Sequence, residues 1–193
     1  MKIIAITGSI GCGKTYLAKL LQEIGYSVYN PDKWVRFLYK NEKFINIIKI
    51  NFPEVFDENG TFYKRKLRNL VFNNKDKLKL LESIIHPLLK RKLKKIINKK
   101  AKSEKFLFLD VALLYEMHWD IFCDYVIVAD VDDDIQKQRV ILRDNIKEED
   151  FYKIIKNQID KKIKNNLGDI VIDTGLKKGI NKVQLIKFIE KIE

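Results

Sequence analysis

The sequence predicts an α/β protein, a five-stranded parallel sheet flanked by helices, and three observations predict it. Five short apolar runs are separated by longer helical patterns. The first run leads at once into the octet Gly8-Ser-Ile-Gly-Cys-Gly-Lys-Thr15, and a helical pattern opens directly on that octet. A strand, a tight glycine-rich loop and a helix in that order begin a βα unit, and strands alternating with helices build parallel sheets.

The candidate strands are Lys2–Thr7, Ser27–Tyr29, Phe106–Asp110, Tyr125–Ala129 and Asp169–Ile172. Most lack alternation of polar and apolar residues, as expected for strands covered on both faces. The first helix is Lys14–Ile24. A long pattern over Asp76–Lys100 carries Leu78, Leu81, Ile85, Leu88, Leu89, Leu93 and Ile96 at spacings of three and four, and Pro87 should kink it or begin a second helix. Ile135–Arg143 and Glu148–Lys164 form a further helical region, and Lys182–Ile192 closes the chain. The core is therefore expected at about 1–32, 105–134 and 167–193. Residues of about 33–104 are too many for a simple crossover; they read as a mainly helical insertion that binds an acceptor, with a turn at Asp57–Gly60. The charged excursion of about 135–166 reads as a lid, since it has few large apolar anchors.

Composition sets outer bounds. A chain of 193 residues, 46% hydrophobic and 33% charged, is one ordinary globular domain. No apolar run approaches the roughly 20 residues that span a bilayer, and the N-terminal apolar stretch is too short for a signal peptide, so the cytoplasm is the expected compartment. Two cysteines, Cys12 and Cys123, make neither a disulfide framework nor a zinc site. Cys12 sits among loop amides and beside Lys14, which should favour a thiolate; Cys123 reads as a buried small apolar residue. The net charge of +12 suits either a binder of nucleic acid or membrane surfaces, or lysines spread over solvated faces. Thirty-two of the 38 basic residues are lysine, scattered along almost the whole chain, which favours the second reading.

The octet carries the chemistry. Gly8, Gly13, Lys14 and Thr15 satisfy the pattern Gly, four residues, Gly, Lys, Ser or Thr of a nucleoside-triphosphate phosphate loop. Glycines let the backbone approach phosphate oxygens, loop amides and the helix N-terminus attract the anion, Lys14 reaches the outer phosphates, and Thr15 offers a hydroxyl to Mg²⁺. This much specifies ATP or GTP. Three features address the acceptor and the transfer. Asp32, in Asn30-Pro31-Asp32 just beyond the second strand, stands where a general base could accept a hydroxyl proton, or it caps a helix; Arg36 follows one turn later. Arg139 and Arg143 share one helix face, where either could stabilise the transferring group, or both could pair with Asp144 or Glu148 on the surface. Asp110 ends an apolar strand, the arrangement that holds Mg²⁺ directly or through water, or is simply a polar strand end. Asp57-Glu-Asn-Gly60 matches a GTPase tetrad but lies in a turn, and no guanine signature accompanies it.

With these in place the chain resembles the dephospho-CoA kinase family over nearly its whole length. Residues 6–15, Ile-Thr-Gly-Ser-Ile-Gly-Cys-Gly-Lys-Thr, are similar to the family's opening. Asn30-Pro-Asp32 with Arg36 resembles its Asp-Ala-Asp and downstream arginine. Gly60-Thr61 with Arg65, Leu67 and Arg68, then Ile85-His86-Pro87-Leu88, Asp110-Val-Ala-Leu-Leu-Tyr-Glu116, the set Gln136, Arg139, Arg143 and Asp144, and finally Asp169–Asp173, follow in the family's order. The departures are Cys12 for a serine, Asn30 for an aspartate, Ala112 for a proline, Thr174 for an asparagine, and Lys64 and Lys153 for arginines. The resemblance implies a P-loop fold and transfer of the γ-phosphoryl group of ATP, with Mg²⁺, to the ribose 3′-hydroxyl of dephospho-CoA, giving CoA. It implies catalytic roles for Asp32, Lys14 and Arg139. ATP would be bound by Gly8, Gly11, Cys12, Gly13, Lys14, Thr15, Tyr16 and Arg143, and dephospho-CoA by Arg36, Lys64, Arg65, His86 and Leu113. The metal would sit at Thr15 and Asp110. The expected partners are these small molecules alone, with no nucleic acid or membrane, in a monomer or weak homo-oligomer.

Overall fold

The computed structural model describes residues 1–193 apart from Ala101 and the side chain of Asp32. The chain divides into two compact units, Met1–Asn30 with Lys99–Glu193, and Pro31–Asn98.

The first unit is built on five parallel strands: β1 (Lys2–Thr7), β2 (Val28–Tyr29), β3 (Phe106–Asp110), β4 (Tyr125–Asp130) and β5 (Ile170–Asp173), in the order β2-β3-β1-β4-β5. The expected strands hold to within a residue or so at each end. Alternate residues turn to one face: Ile4 and Ile6, Phe106 and Phe108, Ile127 and Ala129, and Ile172 share a buried cluster with Leu17, Leu20 and Leu21 of helix α1 (Lys14–Glu23) and Leu185, Phe188 and Ile189 of the C-terminal helix, Lys178–Ile192. The intervening residues, Ala5, Leu107, Leu109, Val126 and Val128, are buried on the other face. Burial on both faces is why these strands read as continuous apolar runs.

Strand order decides where a ligand meets the sheet. The chain leaves β1 for one side of the sheet and later returns on the other, so β3 and β4 flank β1. Ligands of open parallel sheets bind beyond the carboxyl ends of strands at such a reversal. The register pairs Ile6 with Asp110 and Thr7 with Val128, which brings the ends of β3 and β4 beside the glycine-rich loop.

The second unit holds α2 (Pro31–Leu38), α3 (Glu42–Asn51), α4 (Lys64–Asn73) and most of α5 (Lys75–Lys100). Leu81, Ile85 and Leu89 form one buried stripe of α5 at four-residue spacing, and Phe44, Ile48, Phe52, Val55, Leu67 and Val71 are buried on the other elements. Helix α5 runs through Pro87 as a single element, so the alternative of a second helix starting there does not occur. The Asp57–Gly60 segment is a turn: Gly60 N–H donates to the Asp57 carbonyl at 2.9 Å, and the Asp57 carboxylate accepts from Thr61 N–H at 2.7 Å and Tyr63 O–H at 3.0 Å. Its acidic side chain is used up in local structure, which removes the GTPase resemblance.

In the first unit the chain from 133 to 167 forms α6 (Asp133–Asp144), α7 (Glu148–Lys156) and α8 (Lys161–Leu167). The helical region expected over Glu148–Lys164 consists of two helices, because Asp160 caps a new one, accepting from Lys162 N–H at 2.8 Å. The last helix, α9 (Lys178–Ile192), begins four residues before its expected start. Among the described residues no helix is long and apolar enough to cross a membrane.

Candidate active site

The site grows from the end of β1. The chain passes through the glycine loop and enters α1 at Lys14, with Gly13 at the helix N-cap position in the left-handed region (φ 88°). A side chain at 13 would be strained there and would also strike Thr174, 2.6–2.8 Å away. At Gly11 (φ 80°) a Cβ would fall 2.5 Å from Val140 of α6. Glycine at these two positions is therefore demanded by backbone geometry and by close approach of α6 and the β5 end.

Lys14 pairs with Asp110, and the second oxygen of Asp110 accepts from Asn30 Nδ2 at 3.0 Å. The end of β2, the end of β3 and the loop lysine thus meet in one array. An aspartate at position 30 would set two carboxylates at this distance; asparagine makes the contact a hydrogen bond. Thr15, in the first turn of α1, is exposed.

From outside, the loop is clasped by side-chain amides. Gln136 Nε2 of α6 donates to the Ile10 carbonyl at 2.7 Å, and Ile10 N–H donates to Gln158 Oε1 at 3.0 Å. Arg139, one turn beyond Gln136, donates from its two terminal nitrogens to Thr174, at 2.9 Å to the hydroxyl and 3.1 Å to the carbonyl. Arg139 has no carboxylate partner among the described residues. Arg143 takes the surface role: it is exposed and grips Asp144 through two nitrogens at 2.8 and 2.7 Å. Asp130, at the end of β4, is held by Lys161 at 3.0 Å and Asn165 at 2.7 Å of α8, and Lys164 of the same helix is buried against Glu116.

The structure therefore brings Lys14, Asp110, Asn30 and, through Thr174, Arg139 to the loop. Tyr16 turns its ring onto the core, and its hydroxyl accepts from Asn181 at 3.4 Å, leaving only its backbone for a phosphate. Leu113 is half-buried in the turn after β3. Arg36, Lys64, Arg65 and His86 all belong to the second unit: Arg36 is exposed on α2, Lys64 and Arg65 are exposed at the start of α4, and His86 precedes Pro87 in α5. The Lys64 ammonium lies 5.1 Å from the centre of the Tyr39 ring. Helix α2 begins at Pro31, so Asp32 is inside the first turn rather than ahead of it; its side chain lies outside the described residues.

Two expectations for cysteine are corrected. Cys12 is fully buried, and burial pushes its thiol up to about 11, overriding the lowering effect of nearby Lys161 and Lys164. The loop amides that attract phosphate do not rescue a thiolate whose side chain points into the core. Cys123 is half-buried rather than buried, with its Sγ 3.6 Å from the Trp119 carbonyl.

Reasoning from sequence missed Thr174, Gln158, Lys161 and Lys164. Gln158 and the two lysines lie in a stretch whose charge suggests solvent, and nothing local marks them. Thr174 was visible only as a departure from the family pattern.

Among the described residues no group of three His, Cys, Asp or Glu side chains could hold a metal ion. Thr15 and Asp110 nevertheless suit a hard divalent cation that takes its remaining oxygens from phosphate and water. Both Asp110 oxygens are already engaged, which favours an outer, water-bridged role.

A parallel sheet in this order, with a lysine-bearing phosphate loop at its central strand, defines a P-loop nucleoside-triphosphate-binding protein. A family model described as dephospho-CoA kinase matches residues 2–178. A dephospho-CoA kinase of Bartonella henselae is 40% identical over 176 residues, covering 91% of this chain and 90% of that protein, and one of Bartonella quintana is 35% identical over 193 residues, covering 100% and 98%. The crystal structure of TT1252 from Thermus thermophilus superposes with a TM-score of 0.82 at 26% identity, covering 98% of this chain and 96% of that one. The chain belongs to the dephospho-CoA kinase family, and its activity is the family's ATP-dependent kinase action in coenzyme A synthesis. ATP-using kinases of this kind generally take a divalent cation with the nucleotide.

Proposed function

We propose that the γ-phosphoryl group of ATP is delivered from the Gly8–Thr15 loop to the ribose 3′-hydroxyl of dephospho-CoA, with Asp32 as the base. The bond between the 3′-oxygen and Pγ forms, the bond from Pγ to the bridging oxygen of ADP breaks, and the hydroxyl proton passes to the Asp32 carboxylate. The observation that carries the proposal is the array of Lys14, Asp110 and Asn30 beside the loop. Asp32 stands two residues beyond Asn30, so covalent reach alone keeps its Cα within about 7 Å of Asn30's.

Lys14 would share its ammonium between Asp110 and the outer phosphates. The amides of Gly11, Cys12, Gly13, Lys14, Thr15 and Tyr16 would receive phosphate oxygens. Arg139, a cation with no carboxylate among the described residues, would balance charge on the transferring group. Arg143, tied to Asp144, has a lesser claim. A bound Mg²⁺ would supply charge neutralisation at the phosphates and would be held by Thr15 and, through water, Asp110. The exposed cations Arg36, Lys64 and Arg65, with His86 and Leu113, would receive the anionic acceptor. Both cysteines are free thiols, in keeping with a cytoplasmic setting.

The test is ADP release in a coupled assay across acceptors. ADP should form with dephospho-CoA and not with nucleosides or nucleoside monophosphates. Release with a nucleoside and none with dephospho-CoA would assign the acceptor site to a different kinase.

A further inference from the structure

Thr174 follows the last residue of β5 and is 5% exposed. Its Oγ1 lies 2.9 Å from the Cys12 carbonyl oxygen and 2.9 Å from a terminal nitrogen of Arg139, while its own carbonyl accepts the other terminal nitrogen at 3.1 Å. Chemistry alone sets the direction of these bonds. A carbonyl only accepts and a guanidinium only donates, so the hydroxyl gives its proton to Cys12 and receives one from Arg139. Each bond polarises the other in the same sense.

The bond to Cys12 has a consequence one atom further on. The carbonyl of Cys12 and the N–H of Gly13 belong to one trans peptide and point in opposite directions. Holding the carbonyl on Thr174 turns the Gly13 N–H to the opposite side of that peptide. Glycine at 13 is what admits Thr174 so near that peptide, since a Cβ there would fall 2.6–2.8 Å from the Thr174 side chain. The same hydroxyl fixes the guanidinium of Arg139.

We propose that Thr174 is a positioning residue of the phosphate site, coupling the orientation of the Cys12–Gly13 peptide to that of the Arg139 guanidinium. The proposal rests on the loop's being the ATP site. It assigns a physical role to the position at which this chain carries threonine in place of the family's asparagine.

The experiment compares Thr174→Val, which keeps the branched shape and loses the hydroxyl, with Thr174→Ser, which keeps the hydroxyl. Each is made in the wild-type chain and in an Arg139→Ala background. ATP binding is measured by calorimetry, and kcat and KM for ATP are measured separately. The valine variant should weaken ATP binding and lower kcat by about tenfold or more, and serine should restore both to within about threefold. Valine should also cost less, as a fold-change, when Arg139 is already alanine. Equal losses for valine and serine, or the same valine cost in both backgrounds, would overturn the proposal. If valine prevents folding, Thr174→Ala replaces it with the same expectations. Because ATP binding is read without an acceptor, failure of the acceptor assignment would leave this result interpretable.

Discussion

Lys164 Nζ lies 2.6 Å from Glu116 Oε1 in the protein interior, with the two side chains 1% and 6% exposed. The same carboxylate oxygen accepts from Ile159 N–H at 3.1 Å, so one buried charge pair ties α8 and the turn before it to the segment after β3. The pair is close but poorly bonded: neither Lys164 Nζ nor Glu116 Oε2 makes a well-aligned hydrogen bond among the described residues. Desolvation therefore weighs heavily against the attraction. Lys164→Met should destabilise the protein by about 3–5 kcal/mol in urea unfolding, by stranding the Glu116 carboxylate, whereas the double substitution Lys164→Met with Glu116→Leu should recover most or all of that loss. Equal destabilisation by single and double variants would show that shape rather than charge matters there.

Cys12 should resist alkylation. With the thiol raised from 9.0 to about 11 and fully buried, iodoacetamide labelling of the folded chain should be negligible at pH 7 and rise only toward pH 11. The raised value also bears on stability. Between about pH 9 and 11 the folded state keeps a proton that the unfolded state has lost, so this contribution is complete below pH 9 and is lost as pH rises toward 11. Thermal unfolding followed from pH 8 to 11 should show a smaller alkaline decline in Cys12→Ser than in the native chain.

Replacing Asp32 by asparagine should lower kcat by about 100-fold or more while ATP binding survives, since a base acts on the acceptor hydroxyl and not on the triphosphate. Rapid-quench turnover and ATP calorimetry on the same preparation separate the two effects. Turnover near the native rate would remove Asp32 from that role.

The two arginines of α6 should part company. Arg143→Lys disturbs an exposed pair with Asp144 and should change kcat by less than about twofold. Arg139→Lys loses the forked contact with Thr174 and should lower kcat by about tenfold or more, beyond any rise in KM. Steady-state kinetics of both variants decide it; an effect of Arg139→Lys confined to KM would make it a ground-state binding residue.

How much of this could be read in advance depends on the kind of interaction. β1, β3 and β4 were readable because strands covered on both faces leave unbroken apolar runs such as Phe106–Leu109. The loop was readable because phosphate binding demands Gly8, Gly13, Lys14 and Thr15 at fixed spacing. Helices α2 and α3 were expected only as part of a mainly helical insertion; they are short, at eight and ten residues, and the Asn41 side chain that caps α3, accepting from Phe44 N–H at 3.2 Å, stands in a polar stretch where it is easily passed over. Lys164 was read with the other lysines as lying on a solvated face, because its burial depends on Glu116, 48 residues away in sequence. Cys12 was misjudged because a loop's electrostatics can be read from sequence, whereas the direction of a side chain relative to the core cannot. Thr174 acts through hydrogen bonds to Cys12 and Arg139 that no local pattern encodes.

The most direct test of the central claim is to incubate the purified chain with ATP and Mg²⁺, with and without dephospho-CoA, and to locate the transferred phosphoryl group by ³¹P nuclear magnetic resonance. One ADP should form per CoA, with the new phosphate on the ribose 3′-oxygen and negligible ADP without acceptor. ADP release at the same rate in the absence of dephospho-CoA, or phosphate on any other oxygen, would contradict it.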